Sequence, residues 1–290
     1  MVAIAGRGLS PAFIDDLRRG LLAPIRERVV RDQTLCIALR ENYLNVYYRG
    51  ANLLQVSAVA DGYAVFFDTK YFRTGAPTLP SERVRTAADV AAWLAVVPLL
   101  KEAIDLDQPG EEREAQQLIL RDNNFGSVAR STDYYVCDIE YAHGKSRFDI
   151  VAVRWPSTPT ERKKTRGHRL VLGEVKFGDD ALDGKSGLVA HVTDVNNFCA
   201  IEANVAAMKR EMVRVFNQQR ALGLVDCDKD LEGFSDEPPL LLLLLANHDE
   251  GSGKLRKALS ELPRSEHTEL RVVSGSYIGY GLWDRVTAAG

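Results

Sequence analysis

Apolar and polar residues recur along this chain with two different periods, and the change of period divides it. From Thr34 to Phe72 the period is two: Leu35, Ile37 and Leu39, then Val46 and Tyr48, then Leu54, Val56 and Ala58, then Tyr63, Val65 and Phe67. Turn signals at Glu41-Asn42, Arg49-Gly50 and Asp61-Gly62 separate these runs, which predicts a four-stranded antiparallel meander. Ahead of it, Ser10-Pro11 to about Arg31 reads as an amphipathic helix, with Ser as cap and Pro in the first turn, bent or broken at Gly20 and Pro24. After it, Thr74 to Ser81 reads as a loop with Pro77 and Pro80. A helix then runs from about Thr86 to Asp105 through Ala91, Leu94, Val97 and Leu100, with a kink expected at Pro98. The sharpest punctuation is Asp107-Gln108-Pro109-Gly110, so the expected domains are 1–107 and 108–290.

Beyond the punctuation, Ala115, Leu118, Ile119 and Asp122 share one side of a helix that begins at Glu111. Three strands follow between Tyr134 and Phe177, the second at Ser146–Trp155 and the third at Arg169–Phe177. The segment 178–197 is polar and contains glycine without convincing periodicity, and reads as a cover over a cleft. A helix from about Ile201 to Leu222 comes next. Six consecutive leucines, Leu240 to Leu245, suit a strand covered on both faces. A short helix near Lys254 to Glu261 and a strand near Leu270 to Ser274 close the chain. The expected class is α/β, α+β overall.

Composition narrows this picture only in part. At 290 residues and 46% hydrophobic content the chain can build one large domain or two ordinary ones. A net charge of −3 argues against wholesale electrostatic wrapping of nucleic acid, so such contact would need a local basic patch. Cys36, Cys137, Cys199 and Cys227 form no CxxC pair, and the five His residues are scattered; both favour reduced thiols over a disulfide frame or zinc site. With no apolar run long enough to span a bilayer and no signal-peptide pattern, the expectation is a cytoplasmic protein without membrane contact.

Candidate chemistry enters where charges interrupt the apolar strands. Asp149 breaks the second strand; Glu174 and Lys176 break the third, two residues apart, hence on one face and about 6.5 Å from each other at about 3.3 Å per residue. The simplest reading is that these are the solvated ends of half-buried strands. The alternative is a site. Two carboxylates from adjacent strands offer hard oxygen ligands suited to Mg2+ or Mn2+, and such an ion lowers the pKa of bound water and offsets phosphate charge. Lys176 would orient or deprotonate that water, or offset phosphate charge itself. The loop 156–168 clusters Arg162, Lys163, Lys164 and Arg166, which would bind phosphates of a nucleic acid beside the acids, or would be a solvated hairpin tip. Gly251-Ser252-Gly253-Lys254 is not a P-loop: Leu255 replaces the required Ser or Thr, and the first glycine is missing.

The order of parts is an acidic helix, a strand, a strand with Asp149, a strand with Glu174-Val175-Lys176, a helix and an apolar strand. That order resembles the PD-(D/E)XK superfamily of restriction-endonuclease-like nucleases over about residues 108 to 290, with Phe148 where the name-giving proline would stand. The resemblance implies a restriction-endonuclease-like core, a mixed central sheet flanked by helices; the small N-terminal domain with the antiparallel meander and helices lies outside it. It implies a metal-dependent nuclease hydrolysing phosphodiester bonds, DNA first, in restriction, repair or phage defence. Mg2+ or Mn2+ would be held by Asp149, Glu174 and the Val175 carbonyl, with Lys176 catalytic. A Glu of the first helix would join them, Glu112 first and Glu114 or Glu111 second, although acids in a first helical turn also complement the helix dipole. Gln218 or Gln219 would touch substrate. The N-terminal domain would recognise substrate, a partner, or a second copy in a homodimer. Two rivals stand beside this reading: a catalytically silent nuclease-like module that binds nucleic acid or scaffolds a complex, and an RNA-cleaving effector.

Overall fold

The computed structural model describes residues 6–72, 75, 77–107, 110–178, 182, 184, 187–246, 248 and 253–275. It is a mixed α/β structure with two separate sheets. The chain forms two compact units, one comprising Met1–Gln117 and Asn217–Val225, the other Leu118–Phe216 and Asp226–Gly290. The division therefore falls ten residues beyond the expected 107/108 boundary, inside a helix, and the first unit takes back a segment from late in the chain. Among the described residues no helix is long and apolar enough to cross a membrane.

In the first unit, α1 (Pro11–Arg19) and α2 (Ala23–Arg31) replace the single helix, parted by Gly20 as expected. Ser10 caps α1, its hydroxyl accepting from Phe13 N–H at 3.4 Å. The meander forms as β1 (Leu35–Leu39), β2 (Tyr43–Tyr48), β3 (Ala51–Val59) and β4 (Gly62–Phe66), all antiparallel neighbours. A fifth strand the periodicity does not signal, β5 (Arg83–Val84), extends the sheet beside β4; two residues are too short to show alternation. α3 (Ala87–Asp107) continues as one helix through Pro98. α4 (Glu111–Asn124) begins in this unit, where Arg49 Nε bonds Glu114 Oε1 at 2.9 Å and Gln117 Oε1 accepts from Gly50 N–H at 2.7 Å. The returning segment is tied in as firmly, since Gln218 both accepts from Leu9 N–H at 2.9 Å and donates to Leu9 O at 2.7 Å. A fragment starting at residue 108 would keep these α4 and 217–225 side chains and lose the groups they bond.

The second unit is built on the strand order β11 (Glu269–Gly275), β10 (Leu240–Ala246), β8 (Arg166–Phe177), β7 (Ser146–Arg154), β6 (Tyr134–His143), with β9 (Gly233–Phe234) beside the start of β8. β6 (Tyr134–His143), β7 (Ser146–Arg154) and β8 (Arg166–Phe177) are successive antiparallel strands. β10 (Leu240–Ala246) and β11 (Glu269–Gly275) run parallel to β8. β10 is buried along its whole length between β8 and β11, which is why six leucines run without a polar interruption. The rest of α4 belongs here: Asn124 Nδ2 donates to Val136 O at 2.7 Å and Oδ1 accepts from Val136 N–H at 2.8 Å, pinning β6 where its ladder with β7 shifts register. α5 (Gly126–Ala129), α6 (Leu188–Cys199), α7 (Glu202–Ala221, its last residues in the first unit) and α8 (Gly253–Ser260) complete the helices. α6 corrects the sequence reading of 178–197 as irregular. Leu188, Val192, Val195 and Cys199 are buried at helical spacing, so its signal is short rather than absent.

Candidate active site

β7 and β8 part company partway along, and the acids sit where they do. Their ladder runs from Arg154–Arg169 to Ile150–Gly173 and ends there. Below that point β7 stays paired with β6, as Tyr141–Phe148 to His143–Ser146, while β8 stays paired with β10, as Glu174–Leu243 to Phe177–Ala246. Gly173 permits the last close approach, because a Cβ there would stand 3.0 Å from Ile150 Cβ. Ile150 and Gly173 face one way across the ladder, so one step on Asp149 and Glu174 are neighbours facing the other, with Lys176 on Glu174's side. Past the end of the ladder the Asp149 side chain spans the fork: its Oδ2 accepts from Val175 N–H at 2.8 Å. In β6, the ladder passes over Glu140, whose backbone is left-handed at φ 52°, an uncommon conformation for a non-glycine residue.

Glu174 and Lys176 are not solvated strand ends. They are 3% and 4% exposed, with Lys176 Nζ 2.7 Å from Glu174 Oε1. A second cation-forming group, His191 of α6, brings Nδ1 to 3.0 Å from the same oxygen. Oε1 is out of contact with solvent and is held at ion-pair distance by both nitrogens without the alignment of a full hydrogen bond. The Glu174 contact holds the His191 imidazole above its ordinary pKa, helped by the Asp149 charge and opposed by burial and by Lys176. His248 Nε2 lies 3.1 Å from the Lys176 carbonyl oxygen. Sequence reasoning missed His191; the Leu188, Val192, Val195 spacing would have placed it on a helix, though not over Glu174.

The remaining candidates scatter. Glu112 is half-buried in the α4 segment of the first unit, whereas Asp149, Glu174, Val175 and Lys176 are assembled within the second. Gln218 binds the Leu9 main chain, a structural use that replaces the expected substrate contact. The basic loop corrects another expectation. It joins the far end of β7 to the start of β8, and Arg166 stands eight residues before Glu174, about 26 Å along a strand. It cannot share a phosphate with the acids. Arg162 turns inward, its Nη2 donating to Thr132 O at 2.5 Å and its guanidinium lying 4.6 Å from the Tyr135 ring centre. Lys164 pairs with Glu161 at 2.6 Å and Arg166 with Glu232 at 2.5 Å, while Lys163 is exposed. Arg162→Ala should therefore lower stability by about 1–3 kcal/mol, through lost carbonyl partners and the lost ring contact. A urea midpoint equal to wild type would contradict that placement.

Among the described residues, no three or more His, Cys, Asp or Glu side chains are grouped to hold a metal ion. A magnesium-like ion does not need such a group, since it keeps several waters and is commonly held by one or two carboxylates. Asp149 and Glu174, adjacent on one face at the end of a ladder, fit that smaller requirement in donor type and number. Three comparisons bear on kinship: no family model matches the chain, nor does any curated protein, nor does any solved structure.

Proposed function

We propose that the second unit is a metal-dependent phosphodiester hydrolase of the PD-(D/E)XK type, with DNA as its first substrate to test. The observation that carries this reading is the fork itself: two carboxylates and a buried lysine from adjoining strands, facing one way where the strands separate. Sheets with parallel strands commonly bind ligands beyond the carboxyl ends of those strands, and Glu174 and Lys176 lie near that end of β8. Asp149, Glu174 and the Val175 carbonyl are the groups that would hold Mg2+ or Mn2+. When bound, such an ion supplies acidification of a water and charge compensation for the phosphate. Hydrolysis joins the water oxygen to phosphorus and breaks the ester P–O bond; the water gives up a proton and the leaving oxygen gains one. Lys176, whose Nζ stands 2.7 Å from Glu174 Oε1, is suited to orient the attacking water or a phosphate oxygen. Glu174 fixes that ammonium in place.

A silent nuclease-like module is the rival, and one observation favours it: Asp149 already serves the fold by accepting from Val175 N–H. The two readings separate in one experiment. The purified chain is incubated with plasmid, linear duplex and single-stranded DNA, and with RNA, in Mg2+, Mn2+ or EDTA. Cleavage that EDTA abolishes supports the hydrolase. Binding of nucleic acid without cleavage in either metal replaces it with the silent module, and cleavage confined to RNA moves the substrate to the effector reading.

A further inference from the structure

Lys176 comes from the same strand as Glu174, two residues on, so by itself it restrains the carboxylate only from within β8. A glutamate has three side-chain torsions, and one contact from its own strand leaves its head group free to pivot about that contact. His191 comes from a different element, the first turn of α6, and reaches the same Oε1 at 3.0 Å. α6 is itself anchored independently of Glu174: Leu188, Val192, Val195, Phe198 and Cys199 are buried, and the Phe198 ring meets the Phe148 ring at 4.9 Å between centres. A nitrogen on an anchored helix and a nitrogen on the strand, both within ion-pair distance of one oxygen, hold a carboxylate against rotation. We propose that His191 is a positioning residue that presets the orientation of Glu174 for cation binding. This rests on the metal-dependent reading above.

The observation behind the role is one of distance: Nδ1 stands 3.0 Å from Oε1, so a polar nitrogen at that point limits the pivot of the carboxylate. Groups that orient a ligand from behind typically change metal affinity or activity by about 10- to 100-fold when removed. Because His191 acts on Glu174, a proposed cation ligand, its loss should appear in the cation affinity and the turnover number, and not in KM for the nucleic acid.

The test titrates Mn2+ calorimetrically into wild type, His191→Ala and His191→Asn without substrate, and then measures kcat and KM on duplex DNA. Asparagine places an amide nitrogen on Cγ where histidine has Nδ1, so it restores the polar nitrogen without the ring. His191→Ala is expected to bind Mn2+ about 10- to 100-fold more weakly with kcat reduced and KM unchanged, and His191→Asn to recover most of both. Unfolding midpoints are recorded for each, and the comparison of the two variants is read at matched stability. Wild-type affinity and kcat in His191→Ala would overturn the inference, as would equal impairment in both variants, which would mark a packing role. If wild type itself neither binds Mn2+ nor cleaves, the hydrolase reading fails and takes this inference with it. An active wild type beside an unaffected His191→Ala removes the inference alone.

Discussion

Replacing Lys176 with alanine should leave Mn2+ binding near wild type while single-turnover cleavage falls by about 10²–10⁴-fold, the range for a group that handles protons or charge in the transition state. Both carboxylates remain, and His191 still reaches Glu174 Oε1 at 3.0 Å, so the buried acid keeps a polar contact. Glu174→Ala should behave differently in two respects. It removes an oxygen ligand, so cation binding and cleavage are lost together. It also leaves Lys176, 4% exposed, without the carboxylate 2.7 Å from its ammonium. Breaking a buried pair from one side costs about 3–5 kcal/mol, a large part of the roughly 5–15 kcal/mol that stabilises a typical domain. Burial of the pair sets the sign of that change, since the ammonium is left without its carboxylate. Glu174→Gln keeps the volume and an oxygen beside Lys176, and is the variant in which lost metal binding can be read without lost folding. Equal turnover in Lys176→Ala and wild type would remove the lysine from the chemistry; cleavage surviving in Glu174→Gln at unchanged Mn2+ affinity would remove the glutamate as a ligand.

Gly50→Ala should destabilise the first unit by about 2–5 kcal/mol, combining the left-handed backbone cost of about 1–2 with overpacking of about 1–3. Gly50 has φ 73° in the tight turn from β2 to β3, after Arg49 at φ 48°, the geometry favoured in two-residue hairpins. The turn lies directly against α4. A Cβ on residue 50 would stand 2.5 Å from the main-chain carbon and the Cβ of Arg113 and 2.6 Å from its carbonyl oxygen, and main chain cannot rotate away as a side-chain tip can. Moving the turn outward would break the 2.7 Å bond from Gly50 N–H to Gln117. Hydrogen exchange gives the clearest reading: amides of β2 and β3 should lose protection while those of β8 and β10 keep theirs. An unchanged unfolding midpoint would contradict the close approach of α4 to this turn.

Alternation and turn residues made most strands legible, because the meander and the β6–β7–β8 run each have at least one face whose side chains report burial. Asp149, Glu174 and Lys176 were legible for the same reason, as charges breaking an apolar period. Their burial was not, since it depends on α6, whose apolar positions fall within barely three turns after a glycine-rich stretch. His191 is invisible for a related reason: nothing in the chain between 174 and 191 fixes which histidine meets which acid. The position of the basic loop was legible and misread. A loop joining two antiparallel strands lies at the end opposite to the first residues of one and the last of the other, and Asp149 and Glu174 lie near those residues. The unit boundary was not legible, because the Leu9–Gln218 pairing spans 209 residues and leaves no local trace.

That long-range pairing bears on how the protein is made. The first unit needs Asn217–Val225, which a ribosome adds about a hundred residues after Gln117, a wait of about 5–20 s at ordinary elongation rates. During it the Leu9 main chain lacks Gln218, and Arg26 lacks the Leu222 carbonyl that its Nη1 meets at 3.4 Å. The strands carrying Asp149, Glu174 and Lys176 have all been synthesised by then, so the part of the protein begun first is closed only after the strands bearing the acids and the lysine have been made.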